Sequence, residues 1–228
     1  MSTTTAPARL GVLGGSFNPV HNGHLRMAVE ALEQLRLDRV ELVPAAHPPH
    51  KDDHGLLPFA RRLRLTELAA AGHPALAASP IESLRPGPSF TCDTLTCYRT
   101  QTPAADLFFI LGSATFLELP TWRRWQDLPT LADLVVVGRW DVDDARLAAA
   151  VAEYWPRAER EAEGLWRFPT GHALHRIRMP RLDIKAADLR RRWREGHSLC
   201  GLVPAPVAVD LAKDTAEIEA AWGARITG

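Results

Sequence analysis

Leu10 to Leu13 (LGVL) is a short apolar run that stops at Gly14-Gly15. A buried parallel strand reads this way, apolar on both faces and closed by a tight turn. Gly23 to Leu37 carries Leu25, Val29, Leu32 and Leu35 at helical spacing, which predicts a helix. Val40 to Val43 (VELV) predicts a second strand, ended by Pro44. Pro58 to Ala71 reads as a helix with proline near its first turn. Ala75 to Ile81 is a weaker strand, and Thr91 to Tyr98 starts another helix. Leu107 to Leu111 (LFFIL) and Leu134 to Val137 (LVVV) are strongly apolar strands that end at Gly112 and Gly138. Strands that alternate with helices and stop at glycine imply an α/β fold with a mostly parallel, doubly wound sheet.

The second half is patterned less sharply. Asp143 to Tyr154 predicts a helix, and the polar stretch Pro156 to Gly164 is expected to loop out. Ala173 to Arg178 is expected as a last strand, and Asp183 to Glu195 as an arginine-rich helix closed by Gly196. Pro204 to Lys213 and Thr215 to Trp222 complete a helical C-terminal segment, about 183–228. The chain shows no internal repeat and no low-complexity linker. Residues 1–8 are expected as a frayed tail, and 9–228 as one domain.

Composition narrows the class. The chain has 228 residues, 46% of them hydrophobic and 24% charged, which excludes a disordered protein or a fibre. A domain of that size buries roughly 70–75% of its unfolded surface, enough for a core without staples. Lys plus Arg is 27 and Asp plus Glu is 27, so the formal net charge is zero. That argues against a general nucleic-acid coat. The apolar runs are far shorter than a membrane span. Cys92, Cys97 and Cys200 are odd in number and lack C-x-x-C spacing, so reduced thiols in a cytoplasmic protein are expected. The first residues lack a basic start and an apolar core, so no secretory signal is expected.

The chemistry concentrates in Gly14-Gly15-Ser16-Phe17-Asn18-Pro19-Val20-His21-Asn22-Gly23-His24-Leu25, between the first strand and the first helix. In an open parallel sheet, ligands sit outside the carboxyl ends of the strands. Gly14 and Gly15 let backbone N–H groups approach an anion. His21 and His24 flank a helix N-terminus, which itself favours negative charge. Two imidazoles three residues apart can donate to adjacent phosphate oxygens, and Gly23 lets a nucleotide lie close to the backbone. Histidines so spaced also serve as local caps. Their place after a double glycine at a strand end favours the phosphate reading.

This string resembles the H-x-G-H signature of the nucleotidylyltransferase superfamily, and in its longer form that of bacterial nicotinate-nucleotide adenylyltransferases. Pro48-Pro49-His50-Lys51 is similar to the family's P-P-H-[KR] loop. Pro88-Ser89-Phe90-Thr91 with Asp93-Thr94-Leu95 resembles its P-S-Y-T-x-x-T-L segment, and Phe109 to Gly112 with Leu119 to Trp122 its F-I-x-G strand and F-x-x-W helix start. Leu199 to Val207 resembles its terminal L-V-P-x-x-V. The likeness covers most of 9–140 and 182–212.

The resemblance implies a Rossmann-like fold and adenylyl transfer from ATP to nicotinate mononucleotide, giving deamido-NAD and pyrophosphate. It gives His21, His24, Lys51 and Arg190 catalytic roles. It places Gly14, Gly15, Ser16, Phe17, Gly23, Gly112, Ser113, Arg139 and Lys185 around ATP. Thr91, Trp122 and Arg123 would hold the nicotinate ring and its carboxylate. Mg²⁺ would arrive with ATP, and no metal would be held by protein ligands alone. The partners implied are ATP and the mononucleotide, with no nucleic acid or membrane; a homo-oligomer is compatible. Two positions keep a second reading: Trp122 as core, and Lys51 as a solvated charge.

Three departures stand against the family pattern. Gly112-Ser113-Ala114 lacks the Asp of G-x-D. Ile184-Lys185-Ala186-Ala187-Asp188-Leu189-Arg190 keeps the arginine of I-S-[SAT]-T-x-I-R but not its hydroxyls. The family's R-P-G is reduced to Arg139-Trp140. Lys185 is expected in the first turn of its helix, where a cation opposes the macrodipole unless an anion binds or Asp183 caps. It either contacts phosphate directly or is an ordinary solvated lysine. An enzyme with another acceptor, such as nicotinamide mononucleotide, and a catalytically weak nucleotide-binding relative remain as alternatives.

Overall fold

A computed structural model describes residues 8–49, 55–138, 144–213 and 215–226. The strands are β1 (Arg9–Gly15), β2 (Arg39–Pro44), β3 (Leu76–Ala78), β4 (Asp106–Gly112), β5 (Asp133–Gly138), β6 (Glu159–Ala162), β7 (Leu165–Arg167) and β8 (Ala173–Arg178). The helices are α1 (Asn22–Leu35), α2 (Phe59–Ala70), α3 (Thr91–Gln101), α4 (Ser113–Leu117), α5 (Asp144–Tyr154), α6 (Ala186–Arg194), α7 (Ala205–Lys213) and α8 (Thr215–Trp222). The sheet runs β3-β2-β1-β4-β5-β8-β7-β6. Its first five strands keep the doubly wound order 3-2-1-4-5, which reverses direction beside β1. The pairs β1–β4, β4–β5 and β5–β8 are parallel. The expected fold class is the observed one, with α6 to α8 as the C-terminal helices.

Contacts divide the chain into two compact units. One comprises Met1–Gly14, Met27–Glu41 and Phe90–Arg181; the other comprises Gly15–Arg26, Leu42–Ser89 and Leu182–Gly228. In the first unit Leu107 to Leu111 and Leu134 to Val137 are buried without a break. Parallel strands covered on both faces require that uniform apolarity. The register Leu13↔Ile110 sets Gly14 and Gly112 at the carboxyl ends of adjacent strands. In the second unit α2 joins α7 through Asp210, which is 5% exposed. Its carboxylate meets Arg61 at 2.9 Å and Arg64 at 2.8 Å.

The polar stretch after α5 does not loop out. It forms the antiparallel hairpin β6–β7, which pairs on to β8 through Leu165↔His175 and Trp166↔Leu174. All four residues of β6 are exposed, so no alternation of apolar and polar positions announced the strand. The hairpin is seated by aromatic rings instead. Trp155 lies edge-on to Phe168 at 5.3 Å and to Trp125 at 5.4 Å. The helix expected from Asp183 begins at Ala186, with Lys185 at its N-cap position and no side-chain cap. Asp183 therefore lies two residues before the N-cap position. The strand expected over 75–81 is confined to Leu76–Ala78, and Ile81–Leu84 turns as a 3₁₀ helix. Among the described residues, no helix is long and apolar enough to cross a membrane.

Candidate active site

The glycine corner ends β1 and delivers a loop with an unusual backbone. Phe17 has φ +43° and is 1% exposed. A bulky residue in the left-handed region costs on the order of 1–3 kcal/mol, and such strain collects at working sites. A Cβ at Gly15 would stand 3.1 Å from the Phe17 ring, so this position admits only glycine without a shift. The Phe17 ring meets the His24 ring edge-on at 4.9 Å.

The two histidines are organised by helix capping. The His21 carbonyl accepts from the His24 N–H at 2.9 Å, opening α1. In return, His24 Nδ1 accepts from the His21 backbone N–H at 3.3 Å. This is half of a capping box: the N3 side chain reaches back to the N-cap N–H, with imidazole in place of a carboxylate, while His21 contributes its carbonyl rather than its side chain. The structure thus gives His24 a local capping role. Because Nδ1 is an acceptor, the neutral ring carries its proton on Nε2. The His21 ring stacks on it at 3.6 Å and 20°. His21 is 3% exposed, whereas His24 is half-buried. Gly23 is explained by this stack: a Cβ there would stand 3.0 Å from His21 Nδ1. The place a side chain would take at Gly23 is occupied by the imidazole of His21. The next amide of α1, Asn22 N–H, is satisfied by the Leu202 carbonyl at 3.0 Å, which gives the terminal L-V-P segment its task.

Arg62 holds the loop from inside. It is 1% exposed, and it donates to the carbonyls of Leu57 at 2.9 Å, Ser16 at 2.9 Å, Ala45 at 2.7 Å and Ala46 at 3.4 Å. Burial lowers its pKa to about 10, against the opposing pull of Glu82, so it stays charged at neutral pH. A planar trans peptide points its C=O and N–H in opposite directions. Fixing the Ser16 carbonyl on Arg62 therefore turns the Phe17 N–H the other way. Motif reading missed Arg62. Its signal was an arginine on an apolar helical stripe, with Leu65, Thr66 and Ala69.

Arg190 on α6 is half-buried, and its Nη1 donates to the Asn18 carbonyl at 2.9 Å. Burial, and then the charge of Arg194, push its guanidinium below the usual arginine value. Lys185 is exposed at the start of the same helix, with extended backbone. Ser16, Phe17, His21, Gly23, His24, Lys185 and Arg190 all belong to the second unit.

The expected ring-binding residues fall in the first unit. Thr91 opens α3, whose N-cap residue Phe90 offers no side-chain cap to the first amides. The Arg123 guanidinium lies over the Phe90 ring at 4.7 Å. Trp122 is half-buried, 6.3 Å from Phe109, and so is only partly withdrawn into the interior. Gly112 and Ser113 pass from β4 into α4; Ser113 is 2% exposed and Ala114 is exposed. Lys51, with His50, and Arg139 lie outside the described residues. Among the described residues, no group of three or more His, Cys, Asp or Glu is placed to hold a metal.

Residues 12–192 match the family model described as cytidylyltransferase-like. This chain belongs to that family. A relative from Pelobacter propionicus, named probable nicotinate-nucleotide adenylyltransferase, is 41% identical over 206 residues, spanning 87% of this chain and 93% of its own. A relative of the same name from Maridesulfovibrio salexigens is 32% identical over 214 residues, spanning 94% and 99%. The fold is shared with a Plasmodium falciparum nicotinic acid mononucleotide adenylyltransferase complexed with NaAD. That structure has a TM-score of 0.69 at 16% identity, covering 92% of this chain and 97% of the other. The cytidylyltransferase-like match takes in the glycine corner, the histidine pair and Arg190 together.

Proposed function

We propose that this protein is a nicotinate-nucleotide adenylyltransferase. The observation that carries the reading is the 41% identity to a relative so named across 87% of the chain. The capped histidine pair supplies a chemistry that fits it.

The reaction joins two phosphates. An oxygen of the nicotinate mononucleotide phosphate attacks the α-phosphorus of ATP, the bond from that phosphorus to the bridging oxygen breaks, and pyrophosphate leaves. No covalent enzyme intermediate is needed, so positioning and charge stabilisation do the work. His24 Nε2–H donates to the α-phosphoryl oxygens as charge builds there. His21, stacked behind it, keeps the ring in place. The Phe17 N–H and the amides of the glycine corner add donors that need no rearrangement. Arg190 clamps phosphate, with Lys51, Lys185 and Arg139 as further cations. Gly112 and Ser113 lie on the ATP side. Thr91 amides and Arg123 meet the nicotinate carboxylate, and Trp122 stacks on its ring.

ATP enters with Mg²⁺. The donors around the motif are imidazoles, amides and guanidinium groups, whereas Mg²⁺ takes oxygen ligands. The ion therefore arrives as part of the substrate, carried on ATP oxygens and water.

Pyrophosphate release tests the reading, with MgATP and either the nicotinate or the nicotinamide mononucleotide as acceptor. Release with the nicotinate compound, and much slower release with the amide, is the expected result. Release with neither sinks the proposal, and release with the amide alone reassigns the acceptor.

A further inference from the structure

The catalytic loop is tied to the C-terminal helix by one indole. Trp222, on α8, is 5% exposed, and its Nε1–H donates to Asn18 Oδ1 at 3.2 Å. Asn18 is 4% exposed and stands in the loop between Phe17 and His21. The same Oδ1 accepts from the Leu57 N–H at 3.2 Å, and Asn18 Nδ2 donates to the Gly55 carbonyl. Both lone pairs of the carboxamide oxygen are thus engaged. The backbone carbonyl of Asn18 is the group that receives Arg190.

Trp222 also reaches the helix that carries Arg190. Its ring stands edge-on to Trp193 of α6, at 5.6 Å and 87°. Trp193 in turn donates its own Nε1–H to the Leu211 carbonyl on α7 at 3.2 Å. One side chain therefore touches the loop that bears the histidines and the helix that bears the phosphate arginine. All of these residues belong to the second unit.

We propose that Trp222 is a positioning residue for the phosphate-binding half of the active site, acting through Asn18 and Trp193. It touches no reacting atom. It sets the Asn18 carboxamide, and hence the carbonyl that aims Arg190 and the loop that leads to His21 and His24. Removing the indole N–H leaves the carboxamide short of one anchor while the ring packing stays. The consequence falls on ATP. The contacts of Trp222 run to Asn18 and Trp193, so the expected effect falls on ATP rather than on the nicotinate compound. The inference rests on the adenylyltransferase reading.

The test compares the full-length protein with Trp222→Phe and with a chain carrying the benzothiophene isostere of tryptophan at position 222. The isostere keeps the shape of the ring and lacks only the N–H, so it guards against a failure of Trp222→Phe to fold. Steady-state kinetics are read for each substrate, and calorimetry reads binding of a non-hydrolysable ATP analogue. In both variants KM for ATP and Kd for the analogue rise about fivefold and kcat falls about fivefold, the scale of one hydrogen bond, while KM for the nicotinate compound stays within about twofold. Adding Trp222→Phe to Asn18→Ala changes the ATP parameters by less than about twofold, because the acceptor is already gone. The proposal fails if both variants match the wild type in ATP affinity and kcat. It also fails if KM rises equally for both substrates, or if the two substitutions multiply. Wild-type protein that binds the analogue but does not turn over the nicotinate compound sinks the adenylyltransferase reading alone. Analogue affinity still decides the role of Trp222 in that case.

Discussion

His24 Nδ1 is committed to the His21 N–H, so the proton that can reach a phosphate sits on Nε2. Deleting the ring removes both the cap and that donor. His24→Ala is expected to lower kcat at least about tenfold, the scale of losing one well-placed transition-state donor. The lost cap adds a cost of about 1 kcal/mol in stability. Steady-state turnover beside a thermal melt separates the two, and near-normal turnover would remove the assigned role. Gly23 gives a sharper version. A Cβ there would sit 3.0 Å from His21 Nδ1 and 3.1 Å from Cε1. The His21 ring must then move, and the His24 ring stacked on it moves too. Gly23→Ala is expected to keep its melting temperature within a few degrees and to lose about tenfold or more in kcat, since small misplacements in a site are expensive. Unchanged kcat in a folded Gly23→Ala protein would show that the stack does not orient the donor.

At the scale of elements, α2 and α7 are pinned to each other by one buried carboxylate. Asp210 holds Arg61, whose side chain is 10% exposed, and Arg64, whose side chain is 61% exposed. The backbone carbonyl of Asp210 accepts a further bond from Arg61 at 2.9 Å. Removing the carboxylate takes an anion at 2.9 Å from a largely buried guanidinium and leaves Glu217 at 3.9 Å as a weaker partner, and breaking such a pair costs more than the pair itself contributes. Asp210→Ala is expected to lose about 3 kcal/mol in urea unfolding. Arg64→Ala, on the exposed side of the pair, is expected to lose less than about 1 kcal/mol. Equal losses would contradict the burial argument. The hairpin β6–β7 shows a different economy. Its outer strand bears Glu159, Arg160 and Glu161, all exposed, and charged edge strands resist pairing with other chains.

Acid stability is a property of the whole molecule, and one carboxylate in the first unit dominates the described part of it. Asp133 at the start of β5 bonds His172 Nδ1 at 2.8 Å, His175 Nε2 at 3.0 Å and the Ala173 N–H at 3.2 Å. Arg99 donates to His172 Nε2 at 3.1 Å, so the proton of that ring lies on the Asp133 side. Burial pushes the Asp133 carboxyl upward, but the bonds from His172, His175 and Ala173 outweigh it and hold it well below the usual carboxylate range. A carboxyl whose folded pKa is depressed stabilises the fold above its unfolded value, near pH 4. That stability is lost as the pH falls toward the folded value. The contribution at neutral pH is on the order of 2 kcal/mol. Asp133→Asn is expected to be less stable than the wild type at pH 7, with the gap closing below about pH 4. A gap that stays constant from pH 7 to pH 3 would mean that the carboxylate charge is not what holds these rings.

Local chemistry determined much of this protein before any fold was formed. The uniform apolar runs at 107–111 and 134–137 specified buried parallel strands, because runs that short, ended by glycine, are too short for a buried helix. The double glycine marked the corner, and the cap was one of the two readings the spaced histidines allowed, because capping acts over three residues. Helix α6 was misjudged at its start, where the N-cap position falls on Lys185, whose side chain makes no cap. The hairpin was invisible because β6 buries nothing and is held by rings from distant parts of the chain. Arg62 and Trp222 belong to the same class: an arginine within an apolar stripe and a tryptophan near the end of a helix carry no local sign of their partners. Only the tertiary structure brings Ser16, Ala45 and Ala46 around one guanidinium, and Asn18 under one indole. Hydrogen bonds between residues tens or hundreds of positions apart have no period along the chain, so their partners are set by packing rather than by pattern.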